Sequence, residues 1–483
     1  MSLTVASRIA GPVVGLLAAW LLEIPGHPHA AAMLAIAVWM AIWWLSECVP
    51  LALTSLLPLL AFPLAGIAGG GTIASEYVNS VIFLFIGGFL IAQAMENTRL
   101  HQRIALVMLS RFHASPMKLA VGFALATAFL SMWISNTATA MLMVTIAVPL
   151  LRRLAEEHGP DAMAPVTGAL LLVIAYSASL GGMATPVGSP PNLVFLETMR
   201  ANLPAMTPSF LQWMLVGLPL TVIGLTVMLL VLRPKLAATT WQKSGRESVM
   251  QALEALGAMR REEKLVAWVL GITALLWMTR TGIRTDSFDI PGWAALLPYK
   301  GVDDGTVAML GAATLFLLPG REKRPILGSD AFGRLPWDIV LLFGGGFALA
   351  YGMQHSGLSQ WLGEVLGVLG DMPVWLLLLA VALTITFLTE ISSNTATAQV
   401  MLPILVAVAA GNRIDPMLLL LPATLSASCA FMLPVATPPN AIIFGTHQVP
   451  MALMARTGLK MNLLMALVIV TLVYLLRPLL PAG

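Results

Sequence analysis

Two strings, Ser135-Asn136-Thr137-Ala138-Thr139-Ala140 and Ser393-Asn394-Thr395-Ala396-Thr397-Ala398, place hydroxyl and amide oxygens in the middle of long apolar stretches. Small side chains of this kind cap helix N-termini and also offer oxygen ligands to a hard cation such as Na⁺. Two further strings, Ala184-Thr185-Pro186-Val187-Gly188-Ser189-Pro190-Pro191-Asn192 and Val435-Ala436-Thr437-Pro438-Pro439-Asn440, join similar side chains to proline, and the first of them also to glycine. Proline denies a helix its interior hydrogen bond and glycine permits close approach, so each of the four strings predicts a broken helix. The N-terminal end of each broken helix carries roughly half a positive charge and favours an anion, while the freed carbonyls and the Asn, Ser and Thr oxygens favour Na⁺. Neither Ser-Asn-Thr segment has a Lys or Arg beyond Lys118 at its start, so a dianion held there is balanced by helix ends and bound cations. Packing competes as an explanation for any one string, since Ser and Thr are common at helix contacts and Pro often makes a simple kink. Four strings in symmetric register favour a site.

The solvent around these elements is lipid. Apolar residues make up 58% of 483 positions and charged residues 10%, with a mean hydropathy of +0.87, too apolar for a water-soluble enzyme. A span needs roughly 20 apolar residues to cross a hydrocarbon core of ~30 Å. The apolar runs predict an all-α membrane protein of about eleven transmembrane helices, beginning with a retained first span in residues 1–28. Runs 117–151 and 374–409 are interrupted near their middles by the Ser-Asn-Thr strings, leaving halves too short to cross. They read as re-entrant hairpins, and runs 166–195 and 417–446 as unwound helices.

An internal repeat fixes the architecture. Phe85-Ile86-Gly87-Gly88-Phe89-Leu90 matches Phe343-Gly344-Gly345-Gly346-Phe347-Ala348 at an offset of 258, Ser135–Ala140 matches Ser393–Ala398 at the same offset, and Pro190-Pro191-Asn192 matches Pro438-Pro439-Asn440 at 248. Residues 29–232 and 264–483 therefore form two repeats, each with its scaffold helices, joined by a linker at 233–263 that is expected to carry an amphipathic surface helix. Five crossings in each copy invert the second relative to the first. With the N-terminus in the cytoplasm, about 20 of the 26 basic residues fall on the inner side, as the positive-inside rule expects. The hairpin at 117–151 then enters from inside and that at 374–409 from outside.

On these motifs, together with Trp44-Leu45-Ser46-Glu47-Cys48-Val49-Pro50, Leu341–Leu349 and Phe387-Leu388-Thr389-Glu390-Ile391-Ser392, the chain resembles the divalent anion:sodium symporter family over nearly its whole length, in its dicarboxylate branch. The resemblance implies a homodimer in a bacterial inner membrane, an elevator mechanism, and sodium symport of succinate, malate or fumarate. It also implies one sodium site at Ser131, Ser135, Asn136 and the Gly188 carbonyl, and a second at Thr389, Ser392, Asn394 and the Ala436 carbonyl. Substrate would meet Ser135, Asn136, Thr137, Ser393, Asn394 and Thr395, supported by Ser189, Pro190, Thr437 and Pro438. Ser189 stands where many relatives carry Thr, which leaves the preferred substrate size open.

Several readings remain beside this one. Sodium-independent exchange of di- or tricarboxylates and transport of sulfate or another oxyanion fit the same fold. A channel is disfavoured because the motifs enclose one site without a polar pore, and an enzyme because no catalytic constellation or metal-ligand cluster lies at membrane depth. Glu47, Glu96 and Glu390 could carry protons, but Glu47 and Glu96 lie near span ends and Glu390 belongs to a hairpin pattern in which Ser, Thr and Asn supply the cation oxygens. A structural role is therefore expected for each, and His447 is expected at the cytoplasmic boundary. Cys48 and Cys429 read as small hydrophobes. The basic residues form no tract that would hold nucleic acid.

Overall fold

The computed structural model describes residues 3–22, 24–112, 115–237, 246–284, 289–299, 301–320, 324–367 and 372–481. Helices dominate, as expected. The one sheet among the described residues is a short antiparallel pair, β1 (Gly282–Arg284) with β2 (Asp289–Pro291).

The chain opens with α1 (Leu3–Leu21), α2 (Ala30–Ser46), the short helices α3 (Leu51–Ser55), α4 (Leu57–Leu64) and α5 (Gly70–Glu76), then α6 (Ser80–Asn97) and α7 (Leu100–Leu109). The first hairpin follows as α8 (Pro116–Ser131) and α9 (Asn136–His158), the first broken helix as α10 (Pro160–Gly182) and α11 (Pro190–Asn202), and then α12 (Phe210–Leu236). Next come α13 (Arg246–Ala255), α14 (Arg261–Thr279), α15 (Asp304–Leu317) and α16 (Asp330–Gly333). The second half repeats the first with α17 (Trp337–His355), α18 (Leu358–Val365), α19 (Val374–Leu388), α20 (Asn394–Asn412), α21 (Pro416–Ala427), α22 (Pro438–Phe444) and α23 (Met451–Leu476). The runs expected to cross fall on α1, α2, α3 with α4, α6, α10 with α11, α12, α14, α15, α17, α21 with α22, and α23. The hairpin arms α9 and α20, expected to be too short to cross, instead run 23 and 19 residues and are long and apolar enough to do so.

Helices α6 to α12 and α17 to α23 correspond one to one. The likeness extends to the corner before α7 and α18, where Arg99 and Gly357, 258 positions apart, both take left-handed backbone at φ +63° and +81°. Interruptions fall where the polar strings stand. Helix α8 stops at Ser131 and α9 restarts at Asn136, with the Ser135 hydroxyl accepting from the Ala138 N–H at 3.2 Å.

Small residues set the helix packing, as they do where apolar surface alone cannot drive helices together in lipid. A Cβ on Gly87 would lie 2.6 Å from the Ala308 backbone, and one on Gly311 would lie 3.1 Å from Ile91. Helices α6 and α15 therefore run side by side in the same direction. Helix α14 runs against them, with Trp277 Nε1 donating to the Asp304 carbonyl at 2.9 Å. These directions agree with the topology drawn from the basic residues.

The amphipathic helix expected in the linker is α13, whose Val249 is buried beside α7; the linker's residues 238–245 lie outside the described residues. Arg103 of α7 fastens the linker by donating to the Gly257 carbonyl at 2.9 Å and to Glu263 at 2.5 Å. Large apolar side chains such as Trp20, Trp268, Leu317 and Leu475 stand exposed on the outside, which a lipid-facing surface requires and a soluble monomer rarely shows.

Candidate functional site

Breaking a helix in lipid frees backbone groups that cost several kcal/mol each unless they are paired. In the first repeat, Asn192 Nδ2 donates to the Gly182 and Thr185 carbonyls at 2.9 and 2.8 Å, Trp213 Nε1 to the Met183 carbonyl at 3.0 Å, and the Thr185 hydroxyl to the Met132 carbonyl at 2.6 Å. In the second, Asn440 Nδ2 donates to the Ala430 and Leu433 carbonyls at 3.0 Å each. Asn192 and Asn440 are equivalent at an offset of 248, and so are their acceptors. Each Pro-Pro-Asn asparagine thus clamps the open segment of its own helix. The buried Tyr176 hydroxyl ties the repeats together by donating to the Phe431 carbonyl at 2.7 Å.

The four breaks surround one cavity of about 940 Å³. Ser135, Asn136, Thr137, Ser189, Pro190, Ser393, Asn394, Thr395, Thr437 and Pro438 all line it. Helices α9, α11, α20 and α22 all begin at its wall. Four N-terminal ends at roughly half a charge each sum to about two positive charges. Among the described residues, the ionisable side chains of the lining are Glu47 and Asp338, at the ends of α2 and α17, with no Lys or Arg. A bound dianion would be met by backbone dipoles, amides and hydroxyls.

Behind the first hairpin tip, oxygens crowd together. The inward atom of the Asn136 amide lies 2.6 Å from Ser131 Oγ, 3.1 Å from the Ala178 carbonyl and 3.3 Å from the Gly188 carbonyl. With nitrogen inward, the amide donates to all three. With oxygen inward, four oxygens converge, an arrangement that a cation relieves. The Ser131 hydroxyl itself reaches the Ala178 carbonyl at 2.7 Å. Two glycines permit this approach: a Cβ on Gly182 would meet Asn136 Oδ1 at 2.5 Å, and one on Gly188 would meet the Gly182 carbonyl at 2.6 Å and the Ser131 carbonyl at 3.0 Å.

The second hairpin repeats the arrangement. The Thr389 hydroxyl lies 2.6 Å from Asn394 Oδ1 and 3.0 Å from the Ala427 carbonyl. Ser131 and Thr389 are both fully buried and stand behind the cavity wall. Ser392 lines the cavity, but its hydroxyl donates to the Leu388 carbonyl at 2.9 Å and sits 2.8 Å from Thr397 Oγ1, away from the Thr389–Asn394 pair. The Ala178 and Ala427 carbonyls escaped the sequence reading because a backbone oxygen in an alanine-rich helix has no residue signature. They lie 249 positions apart, one more than the offset of 248 that relates the flanking breaks, so the repeat register alone does not pair them.

The halves also differ. Ala430 and Ala436 occupy the positions equivalent to Gly182 and Gly188. The Thr437 hydroxyl accepts from the Asn440 N–H at 3.3 Å as a helix cap, whereas Ser189 makes no cap and its hydroxyl sits 3.4 Å from that of Ser428. Thr437→Ala is therefore expected to lower stability by ~1 kcal/mol through the lost cap, and Ser189→Ala by less. Thermal unfolding midpoints of the two variants check this.

Glu390 is 3% exposed and holds the second break together. Its carboxylate accepts from the N–H groups of Phe431, Met432 and Leu433 at 2.7, 2.9 and 3.0 Å and from Asn462 Nδ2 at 2.8 Å. Four donors account for the acceptor capacity of an ionised carboxylate. Glu47 caps the end of α2 and Glu96 lies in the last turn of α6, near span ends. His447 sits in the turn after α22 with φ +59°.

Known proteins place this geometry. The family described as the sodium:sulfate symporter transmembrane region matches residues 6–480. The sodium-dependent dicarboxylate transporter SdcS of Staphylococcus saprophyticus is 39% identical over 456 residues, covering 92% of this chain and 86% of that protein. SdcS of Staphylococcus aureus is 37% identical over 487 residues, covering 98% and 92%. Among solved structures, the YdaH transporter of Alcanivorax borkumensis aligns with a TM-score of 0.58 at 16% identity, over 85% of this chain and 89% of that one. MtrF of Neisseria gonorrhoeae aligns at 0.59 and 12% identity, over 98% and 94%. At such identities the two structures speak for the fold alone. With the family match running almost end to end and the SdcS proteins alike over nearly the full length, the chain belongs to the sodium:sulfate symporter family.

Proposed function

We propose that the protein is a secondary active transporter that imports C4-dicarboxylates such as succinate, malate and fumarate together with Na⁺. The observation that carries the reading is the Asn136 amide, which faces the Ser131, Ala178 and Gly188 oxygens at the edge of a cavity that no Lys or Arg lines among the described residues. One cation takes the oxygens of Ser131, Ser135, Asn136 and Gly188, with the Ala178 carbonyl beside them. A second takes those of Thr389, Ser392, Asn394 and Ala436, beside Ala427. For Ser392 this requires its hydroxyl to leave Leu388. The outward amide and hydroxyl groups of Asn136, Thr137, Asn394 and Thr395 meet the carboxylates, with Ser135 and Ser393 at the hairpin tips and Ser189, Pro190, Thr437 and Pro438 completing the wall. The dicarboxylate and sodium assignments rest also on the names of the SdcS relatives.

The cavity meets the ends of α2 at Leu45 to Glu47 and of α17 at Pro336 to Ile339. In the orientation drawn from the basic residues, with the N-terminus in the cytoplasm of a bacterial inner membrane, these are cytoplasmic ends and the site opens inward. The hairpins and broken helices then move as one body against a scaffold of the remaining helices in an elevator cycle, and two copies form a homodimer.

Uptake of labelled succinate into proteoliposomes, with Na⁺ inside and outside set independently, tests this. Uptake is expected to require external Na⁺, and to collapse when choline or K⁺ replaces it. Uptake that persists without Na⁺ but needs internal dicarboxylate would establish exchange instead, and sulfate displacing succinate at equal concentration would establish an oxyanion carrier. Glu390→Gln places an amide nitrogen among N–H donors and is expected to cost about 1–3 kcal/mol of stability while uptake stays sodium-dependent. The unfolding midpoint and the sodium titration together check this, and loss of sodium dependence at an unchanged midpoint would make the carboxylate a cation ligand.

A further inference from the structure

A second cavity, of about 560 Å³, lies apart from the first where α6 and α15 end and α14 begins. Arg99, Arg260 and Arg324 line it, with Glu262, Asn97 and Ile326. Among the described residues, three guanidinium groups against one carboxylate leave the lining with two positive charges. The charges are not equally committed. Arg260 is held by Glu262 at 3.4 Å, by Glu263 at 3.1 Å and by the Thr98 carbonyl at 3.3 Å. Arg103 stands behind it and engages Glu263 as well. Arg99 and Arg324 are exposed, and no side-chain partner is found for either among the described residues.

Arg99 stands at the left-handed corner before α7, where the second repeat has Gly357. That backbone favours glycine. The first repeat holds an arginine there despite the strain, and this arginine lines the cavity. The pocket is also well placed for a headgroup. It sits at the boundary where transmembrane helices end, on the basic end of the bundle, and Ile326 and Leu256 form an apolar side. Basic pockets between membrane helices at this level suit phosphate headgroups, and the guanidinium fork matches phosphate oxygens.

We propose that this cavity binds a phosphate dianion, carried by an anionic phospholipid headgroup or free in solution, through Arg99 and Arg324 on a frame set by Arg260. Bound there, the phosphate would bridge the α6–α7 corner, the start of α14 and the segment after α15, and so brace the linker between the repeats. It does not enter the first cavity, and the proposal stands whether or not the transport reading does.

The test is the thermal unfolding midpoint of the purified full-length protein in neutral detergent. It is titrated with short-chain phosphatidic acid or inorganic phosphate, against phosphatidylcholine and chloride as controls. A saturable rise with either phosphate probe is expected. A rise with phosphatidic acid alone identifies the lipid as the source, and a rise with inorganic phosphate alone identifies a soluble ligand. Removing both free charges in Arg99→Gln/Arg324→Gln should weaken the apparent Kd about thirtyfold, at the ~1 kcal/mol per charge typical of this depth. Arg324→Gln alone, an exposed position that folding tolerates, should weaken it about fivefold. Arg111→Gln, a basic residue outside the pocket, should leave it unchanged. No rise with either phosphate probe, or equal affinity in the wild type and both pocket variants, overturns the proposal.

Discussion

Asn136→Ala reduces sodium-driven succinate uptake by at least about a hundredfold, and Asn394→Ala does the same, with the protein still folded. Each amide has two faces in the proposed site. Its inward atom stands among oxygens, 2.6 Å from Ser131 Oγ in one hairpin and 2.6 Å from Thr389 Oγ1 in the other. Its outward side lines the substrate cavity. Alanine removes a cation ligand and a donor to a carboxylate together. Hydrogen bonds to charged groups contribute roughly 1.5–3 kcal/mol each, so two lost interactions amount to a factor of a hundred or more. The checks are initial uptake rates in proteoliposomes and elution of the variant at the wild-type position in size-exclusion chromatography. Wild-type uptake by either variant would place the site elsewhere.

Gly188→Ala has the second large effect, and it acts without removing any ligand side chain. The added Cβ would stand 2.6 Å from the Gly182 carbonyl and 3.0 Å from the Ser131 carbonyl. These are backbone atoms, which cannot swing aside as a flexible side chain would. The hairpin tip and the broken helix must separate, and the oxygens around Asn136 separate with them. Overpacking of this kind costs typically 1–3 kcal/mol. The larger consequence is the opened cation site, read as a rise of tenfold or more in the sodium concentration for half-maximal uptake. The equivalent exchange in the other half is mild: Ala436→Gly removes a methyl where the chain already accepts one, and its sodium dependence should shift by less than about threefold. If both variants titrate alike, Gly188 is not part of the cation site.

The sequence displayed the breaks better than their partners. Ser-Asn-Thr and Pro-Pro-Asn announce interrupted helices because capping side chains and proline act locally, and the helices do restart at Asn136, Asn394, Pro190 and Pro438. The repeat offset then indicated that the four belong together, and all ten residues expected around the substrate line a single cavity. Contacts that depend on long-range packing were not legible. The Ala178 and Ala427 carbonyls carry no side-chain signal, Gly182 looks like one more small residue in a membrane helix, and the donors around Glu390 come from a segment 41 to 43 positions away together with Asn462, 72 away. The different tasks of Ser189 and Thr437 were hidden for a similar reason. Each precedes Pro-Pro-Asn, and only the nearby Ser428 separates a hydroxyl that caps from one that does not.

A density map of the protein prepared in Na⁺ with succinate is the most direct measurement. It should show the acid between the tips at Asn136–Thr137 and Asn394–Thr395, with one cation behind each tip, at Ser131 and at Thr389. Succinate lodged outside the ring of helix starts, or cation density away from both asparagines, would contradict the account.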